Sequence, residues 1–178
     1  MDTLLVPNRC YFYISTGESS PPFSLSLVPN LGAINVPGWS SLGHTGRGSI
    51  FSLAKDNPSE EDAALLYEEY PSLCTYSDYW KFEVPLIGIT RESLKVAFPG
   101  AENSANGLAI VGGLSIPRSV LAIFEDSQRV FALYFQRVKI KAENGFAMGL
   151  NEQTVIPLSG FVMRPTDSSF GKFMVLEN

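Results

Sequence analysis

Hydrophobic and polar residues alternate along most of the second half of this chain, which is the pattern of β-strands. The longest such run, residues 130–140, places apolar side chains on both of its faces. Alternation therefore does not show which face of that strand is the inner one. Further strands are predicted over residues 10–15, 23–28, 49–54, 80–89, 108–111, 119–124, 155–164 and 172–176.

Two segments carry helix signals instead. Thr90 is a good N-cap for a short helix over residues 90–98, whose apolar stripe is Leu94, Ala97 and Phe98. A second helix is predicted over residues 57–70, where Asn57 caps, Pro58 suits the first helical position and Glu60 completes a capping box. The fold class predicted is therefore mainly β, a sandwich or barrel with one short packed helix and a possible second one.

The chain of 178 residues fits a single domain, 1–178. Residues 38–48 predict a glycine-rich turn, and residues 101–107 predict a polar loop. Pro85 places its strand at an edge or a bulge. Eight to ten amphipathic strands in one domain leave sheet edges that must be covered, blunted or paired with another chain.

The charge of the chain is unevenly distributed. The net charge is −5. Six acidic residues fall within residues 56–69, which marks residues 55–79 as an acidic insertion. That segment is either a solvated helix face or a surface turned toward a neighbour or DNA. No run of Lys and Arg indicates a nucleic-acid binder, although Arg137, Lys139 and Lys141 share one alternating face.

The sequence contains no recognisable set of catalytic residues. His44 is the only histidine, and its glycine-rich surroundings favour a hydrogen-bonding turn residue over a catalytic base. One histidine with Cys10 and Cys74 far apart does not suit zinc, and two buried free thiols are expected. Residues 107–113 lack the Lys-Ser/Thr of a phosphate loop. The sequence predicts no enzyme, no cofactor and no metal site. It also shows no secretory signal and no membrane-spanning helix.

Two segments carry a resemblance to a known family. The first is the octapeptide GWSSLGHT, which begins at Gly38, and the second is WKFEVPLIGITRESLKVAFPG, which runs from Trp80 to Gly100. Residues 115–118, 130–142 and 155–161 continue in the same order. Together they resemble the major tail tube proteins of tailed bacteriophages, of the siphophage type and especially those infecting actinobacteria. The motif positions are Trp39, Leu42, Gly43, Thr45, Trp80, Leu94 and Gly100.

The resemblance implies a structural virion protein made in the host bacterial cytoplasm. Such proteins form hexameric rings that stack into a hollow tube, contact other tail proteins and conduct phage DNA without binding it specifically. Their strands join those of neighbouring subunits, which would complete unfinished sheet edges. An acidic lumen would repel phosphate. The acidic helix at 57–70 and Pro99 depart from the family pattern, and the candidate inter-subunit contacts are Glu60, Glu61, Asp62, Glu68 and Glu69.

Two alternatives remain open at this point. One is another phage tail component, such as a terminator or a hub protein. The other is a small carbohydrate-binding β-sandwich, whose signal would be exposed aromatic side chains. Tyr11, Tyr13, Tyr134 and Phe135 fit either a core or such a binding face.

Overall fold

The computed structural model describes residues 9–15, 17, 38–45, 51–56, 79–88, 90–110, 112–125, 130–142, 154–166, 171 and 173–177. This part is mainly β with one short helix, as predicted. The elements are β1 (Arg9–Ser15), β2 (Trp39–His44), β3 (Ser52–Asp56), β4 (Tyr79–Ile87), α1 (Arg91–Ala97), β5 (Ala101–Ser104), β6 (Gly107–Ile110), β7 (Arg118–Glu125), β8 (Val130–Ala142), β9 (Val155–Val162) and β10 (Met174–Glu177). The strand predicted at 23–28 and the helix predicted at 57–70 lie outside the described residues.

Six antiparallel strands close into a barrel in the order β1-β2-β4-β9-β8-β7, with β7 pairing back to β1. The sheet edges of this ring were expected to be unfinished and are instead paired within the chain. Closure is thinnest between β2 and β4, which share the single rung of His44 with Ile87. Two strands lie outside the ring, with β3 beside β4 and β10 beside β8.

A bulge in β8 lets one strand serve two partners. The ladder with β7 pairs Phe135 with Val120 and then Val138 with Arg118, so that Gln136 and Arg137 stand opposite Ser119 alone. The first half of β8 pairs with β10 and the second half pairs with β9. A bulge adds a residue and a bend at one point of a strand, and here it lies where the partner changes.

Pro85 lies within β4, where it pairs with Pro157 of β9. Neither proline can donate a backbone hydrogen bond, which suits a rung without hydrogen bonds. On its other side β4 pairs with β3 as far as Glu83 and with β2 at Ile87. The prediction of an edge strand or a bulge at Pro85 is wrong, because β4 is paired on both sides and its register with β9 is unbroken; the proline fits since it lies at a gap between β3 and β2.

Two predicted irregular segments are strands. Residues 39–44 form β2 rather than a glycine-rich turn, since Leu42 alternates into the core and Gly43 lets the strand approach β4. A Cβ on Gly43 would lie 2.7 Å from the carbonyl oxygen of Ile87. Residues 101–107 belong to a two-stranded ribbon, β5–β6, with its turn at residues 105 and 106.

The helix α1 begins as predicted. The Thr90 hydroxyl accepts a hydrogen bond from the backbone N–H of Ser93 at 3.0 Å, and the Ser93 hydroxyl accepts one from the N–H of Thr90 at 2.8 Å. The predicted stripe of Leu94, Ala97 and Phe98 packs against the barrel core. Since α1 follows β4 closely, it lies at the end of the barrel where β4 finishes.

Both faces of the barrel wall bury apolar side chains. The inner core contains residues such as Phe12, Phe82, Phe135 and Ile156. A second cluster lies on the alternate positions of β1, β7 and β8 and consists of Tyr13, Leu121, Ile123, Ala132 and Tyr134. This second core explains why alternation along β8 did not distinguish an inner from an outer face.

Candidate functional site

The barrel interior is filled by aromatic rings. The Phe82 ring lies 5.7 Å from that of Phe51 and 5.2 Å from that of Phe135, measured between centroids. Opposite Phe82, Gly160 leaves the space that the ring occupies, because a Cβ there would lie 2.0 Å from the ring. The centre of the barrel is therefore packed core rather than a binding cavity.

The described side chains that could act in catalysis or bind a metal do not lie close together in one site. His44 ends β2, where its Nδ1 lies 3.0 Å from the carbonyl oxygen of Thr45 and its ring meets Tyr11 edge-on. It makes the predicted kind of hydrogen bond, but from a strand rather than a turn. Within the described ranges no three His, Cys, Asp or Glu side chains are grouped as a metal site would require.

Cys10 is a free, buried thiol, as predicted for it. Burial raises its pKa far above the ordinary value for a thiol, so Cys10 is a poor nucleophile. Cys74 lies outside the described residues. No helix in the described part of the chain is long and apolar enough to cross a membrane.

The aromatic side chains that could have formed a sugar-binding face are mostly buried. Tyr13, Tyr134 and Phe135 expose 4%, 1% and 0% of their surface. A carbohydrate platform needs exposed ring faces, so these three side chains belong to the two cores.

Lysine side chains flank a buried aromatic residue on the outside of the barrel. Lys141 and Lys81 place their Nζ atoms 5.2 and 5.8 Å from the ring centroid of Phe161. Lys81 also pairs with Glu83 at 2.8 Å. Lys139 stands directly opposite Phe161 in the ladder, so Lys139 and Lys141 share one face as predicted. The charged ends of Lys81 and Lys141 thus lie over the Phe161 ring on the outer side of β9.

The motif positions have structural roles. Thr45 bridges to β1, since its Oγ1 accepts from the N–H of Cys10 at 3.2 Å and its N–H donates to the Cys10 carbonyl at 2.9 Å. Trp39 packs on the outer core, Leu42 lies in the inner core, and Trp80 packs edge-on against Phe173. The acidic candidates Glu60, Glu61, Asp62, Glu68 and Glu69 lie outside the described residues.

The most exposed apolar side chains are concentrated next to the ribbon. Ile110 exposes 56% of its surface, Leu114 79% and Ile116 66%. Sequence reasoning missed them as a surface. The available signal was that residues 107–117 contain no charged residue at all.

The base of the ribbon is fixed by a close backbone crossing of Gly100 with Gly112 and Gly113. Gly100 has φ +84°, and a Cβ on it would lie 2.3 Å from the carbonyl oxygen of Gly112. A Cβ on Gly113 would in turn lie 2.9 Å from Cα of Gly100. Since only glycines fit this crossing, the ribbon and the segment after it are held against the end of α1.

Strand β10 supplies a second exposed apolar position. Among the described strands it has one neighbour, β8, so its far edge has no partner there. Val175 in its centre exposes 53% of its surface. An edge of this kind, without a charged side chain at its centre, is a template for pairing with another chain.

Comparison with known proteins gives little further guidance. No protein-family model matches this chain. A curated protein described as TSET complex member tstE, from Dictyostelium discoideum, is 26% identical to it over 180 residues. That alignment covers 92% of this chain and 13% of the other protein. The chain thus spans about an eighth of the length of that relative, and the likeness is too low to place the two in one family.

Proposed function

We propose that this chain is a structural virion protein, the subunit of a phage tail tube, which assembles with copies of itself into stacked rings around a channel for DNA. The ring and its hexameric number come from the sequence resemblance described above. The fold supports the proposal in two ways. The barrel interior is filled by side chains, and the exposed apolar residues and the open edge of β10 lie on its outside.

The observation that carries the proposal is the position of β10. This strand extends the sheet beyond the closed ring of the barrel, and in the described part of the chain its outer edge pairs with nothing. A protein that acts alone blunts such an edge with charges or prolines. A subunit of a larger assembly leaves the edge available for the next copy.

The absence of convergent chemistry among the described residues supports a structural role over an enzyme. The aromatic rings that a sugar-binding module would expose are buried, which weakens the carbohydrate-binding alternative. The net charge of −5 suits a protein that must let DNA pass without holding it.

The test is self-assembly of the purified chain. Sedimentation velocity across a wide concentration range should show growth beyond the monomer, and negative-stain electron microscopy should show rings or tubes with a central channel. A protein that remains monomeric at every concentration, with no rings on the grid, would overturn the proposal. Compact oligomers without a channel would also count against a tube.

A further inference from the structure

Residues 112–117 follow the ribbon, and within this segment outward apolar side chains alternate with a serine that bonds to β8. Leu114 and Ile116 point outward, while the Ser115 hydroxyl between them donates to the carbonyl of Ile140 at 2.9 Å and accepts from its N–H at 3.2 Å. The Ser115 hydroxyl thus takes both backbone hydrogen bonds of Ile140 that a neighbouring strand would otherwise make. The segment is therefore held against β8 by the Ser115 side chain.

The backbone of this segment is available for pairing. Residues 112–117 belong to no ladder within the described structure, and none of their backbone groups bonds to the backbone of another described residue. Unpaired backbone with outward side chains at alternate positions, which is the period of a strand, is an arrangement that accepts an added strand.

Cavities flank the segment on both sides. One of about 310 Å³ lies toward Ala97, Phe98 and Ala142. The other, of about 260 Å³, lies toward Lys95 and Arg118. Leu114 and Ser115 line both. An added strand could place its alternate side chains in such depressions, and the glycine crossing at Gly100 keeps them preformed, which lowers the entropic cost of binding.

The segment itself carries no charged side chain, while Lys95, Glu102, Arg118 and Lys141 line the cavities beside it. No charged residue occurs from Gly107 to Pro117, although Ile110, Leu114 and Ile116 are all exposed. Apolar patches of this kind on soluble proteins mark interaction sites.

We propose that the segment 112–117 accepts strand β10 of a second copy of this chain, which makes the contact between copies head-to-tail. The inference rests on the proposed function, since it names the two surfaces through which the copies would meet. The described part of the chain supplies β10 as the matching surface, a short strand with an open edge and an exposed Val175.

The positions of the two surfaces explain the head-to-tail geometry. Strand β10 pairs with residues 131–134 of β8, whereas Ser115 bonds to Ile140 of the same strand. Seven residues separate Leu133 from Ile140, which corresponds to roughly 20 Å along a strand. One chain cannot join its own two surfaces at that separation. A contact between different surfaces repeats from copy to copy, giving rings or stacks.

Three variants test the proposal. The segment variant is L114D/I116D, the strand variant is V175D, and the matched control is R91E, which alters charge at an exposed position on the same end of the barrel. All the changed side chains are exposed, so circular dichroism and thermal unfolding should match the parent chain. A second strand variant, V175K, serves if V175D alters unfolding.

Sedimentation velocity should show self-association weakened at least about 30-fold in the segment and strand variants, because each buries a charge in an apolar contact. The control should assemble like the parent. An equimolar mixture of the segment and strand variants should form heterodimers and nothing larger, since each retains the surface that the other lacks.

The outcomes separate this inference from the proposed function. A parent chain that assembles while the segment variant assembles equally well would overturn the segment as the contact. A strand variant that assembles normally, or a mixture that stays monomeric, would overturn β10 as the occupant. A parent chain that never assembles would remove the proposed function itself.

Discussion

The Phe82 ring occupies the space that a side chain at residue 160 would need. An ideal Cβ on Gly160 would lie 2.0 Å from Cζ of Phe82 and within 2.5 Å of two other ring atoms. Both residues lie in the ladder between β4 and β9, where they form one rung. The barrel is filled at its centre because one strand contributes a large ring and its neighbour contributes none.

The first prediction follows from this contact. Gly160→Ala should lower the free energy of unfolding by about 2 kcal/mol, since overpacking a filled core displaces its neighbours. Chemical denaturation measures the change. Gly17→Ala is the control, because nothing lies within 4 Å of a Cβ at that position. Equal stability of the two variants would mean that Phe82 does not fill the space over Gly160.

The second prediction concerns the start of α1. Thr90→Ala removes the hydroxyl that accepts from the N–H of Ser93 and should cost about 1 kcal/mol of stability. Thr90→Ser keeps the acceptor and should stay close to the parent chain. Thermal unfolding of both variants measures the difference, and an equal loss in the two would assign the effect to the lost methyl group.

The third prediction concerns the base of the ribbon. Gly100 and Gly112 both have positive φ, at +84° and +80°, but only a Cβ on Gly100 meets backbone atoms. Gly112→Ala should cost about 1 kcal/mol from backbone strain alone. Gly100→Ala should cost at least about 2 kcal/mol more, because the crossing with Gly112 and Gly113 must open.

The measurement for these two glycines is a pair of denaturation curves. If the proposed segment contact is correct, Gly100→Ala should also weaken self-association, since the segment 112–117 loses its support. Equal stability of the two variants would contradict the close crossing.

The fourth prediction is a loss of stability at alkaline pH. Burial raises the pKa of Cys10 above its ordinary value of 9.0, and burial together with the charge of Tyr11 raises the pKa of Tyr13 above 10.0. Both groups release protons more readily in the unfolded chain. The folded state is therefore fully favoured below pH 9 and loses free energy as the pH rises above it.

Denaturation at pH 7.5, 9 and 10.5 tests that dependence. For the thiol the slope should reach about 1.4 kcal/mol per pH unit above pH 9. Cys10→Ala should flatten the slope while lowering stability at pH 7.5 through lost packing. A parent chain with constant stability up to pH 10.5 would contradict the burial of both groups.

Much of the local structure could be predicted from neighbouring residues. The strands β1, β4, β7, β8 and β9 and the capped helix α1 lie where alternation and capping place them, with boundaries shifted by a few residues. These signals are local, since a strand face or a helix cap involves residues only a few positions apart. The errors at residues 39–44 and 101–107 arose because glycines and polar residues also occur in strands that approach other backbone closely or extend into solvent.

The candidate assembly surface was harder to foresee. Leu114 and Ile116 look like ordinary apolar residues between two strands, and the uncharged run at residues 107–117 is as typical of buried residues as of exposed ones. Their exposure depends on Ser115 bonding to Ile140 and on Gly100 crossing Gly113, contacts between residues 13 to 25 positions apart.

The sequence by itself determined that this chain is mainly β, where most of its described strands run, how its short helix begins, and that the residues for catalysis are scarce. Only the tertiary structure decided that six strands close into a barrel, that β8 changes partners at a bulge, and that both faces of its wall are buried. Strand pairing joins residues far apart in the chain, so its register depends on how all the strands pack together. The exposed segment and the open edge of β10 are results of that packing.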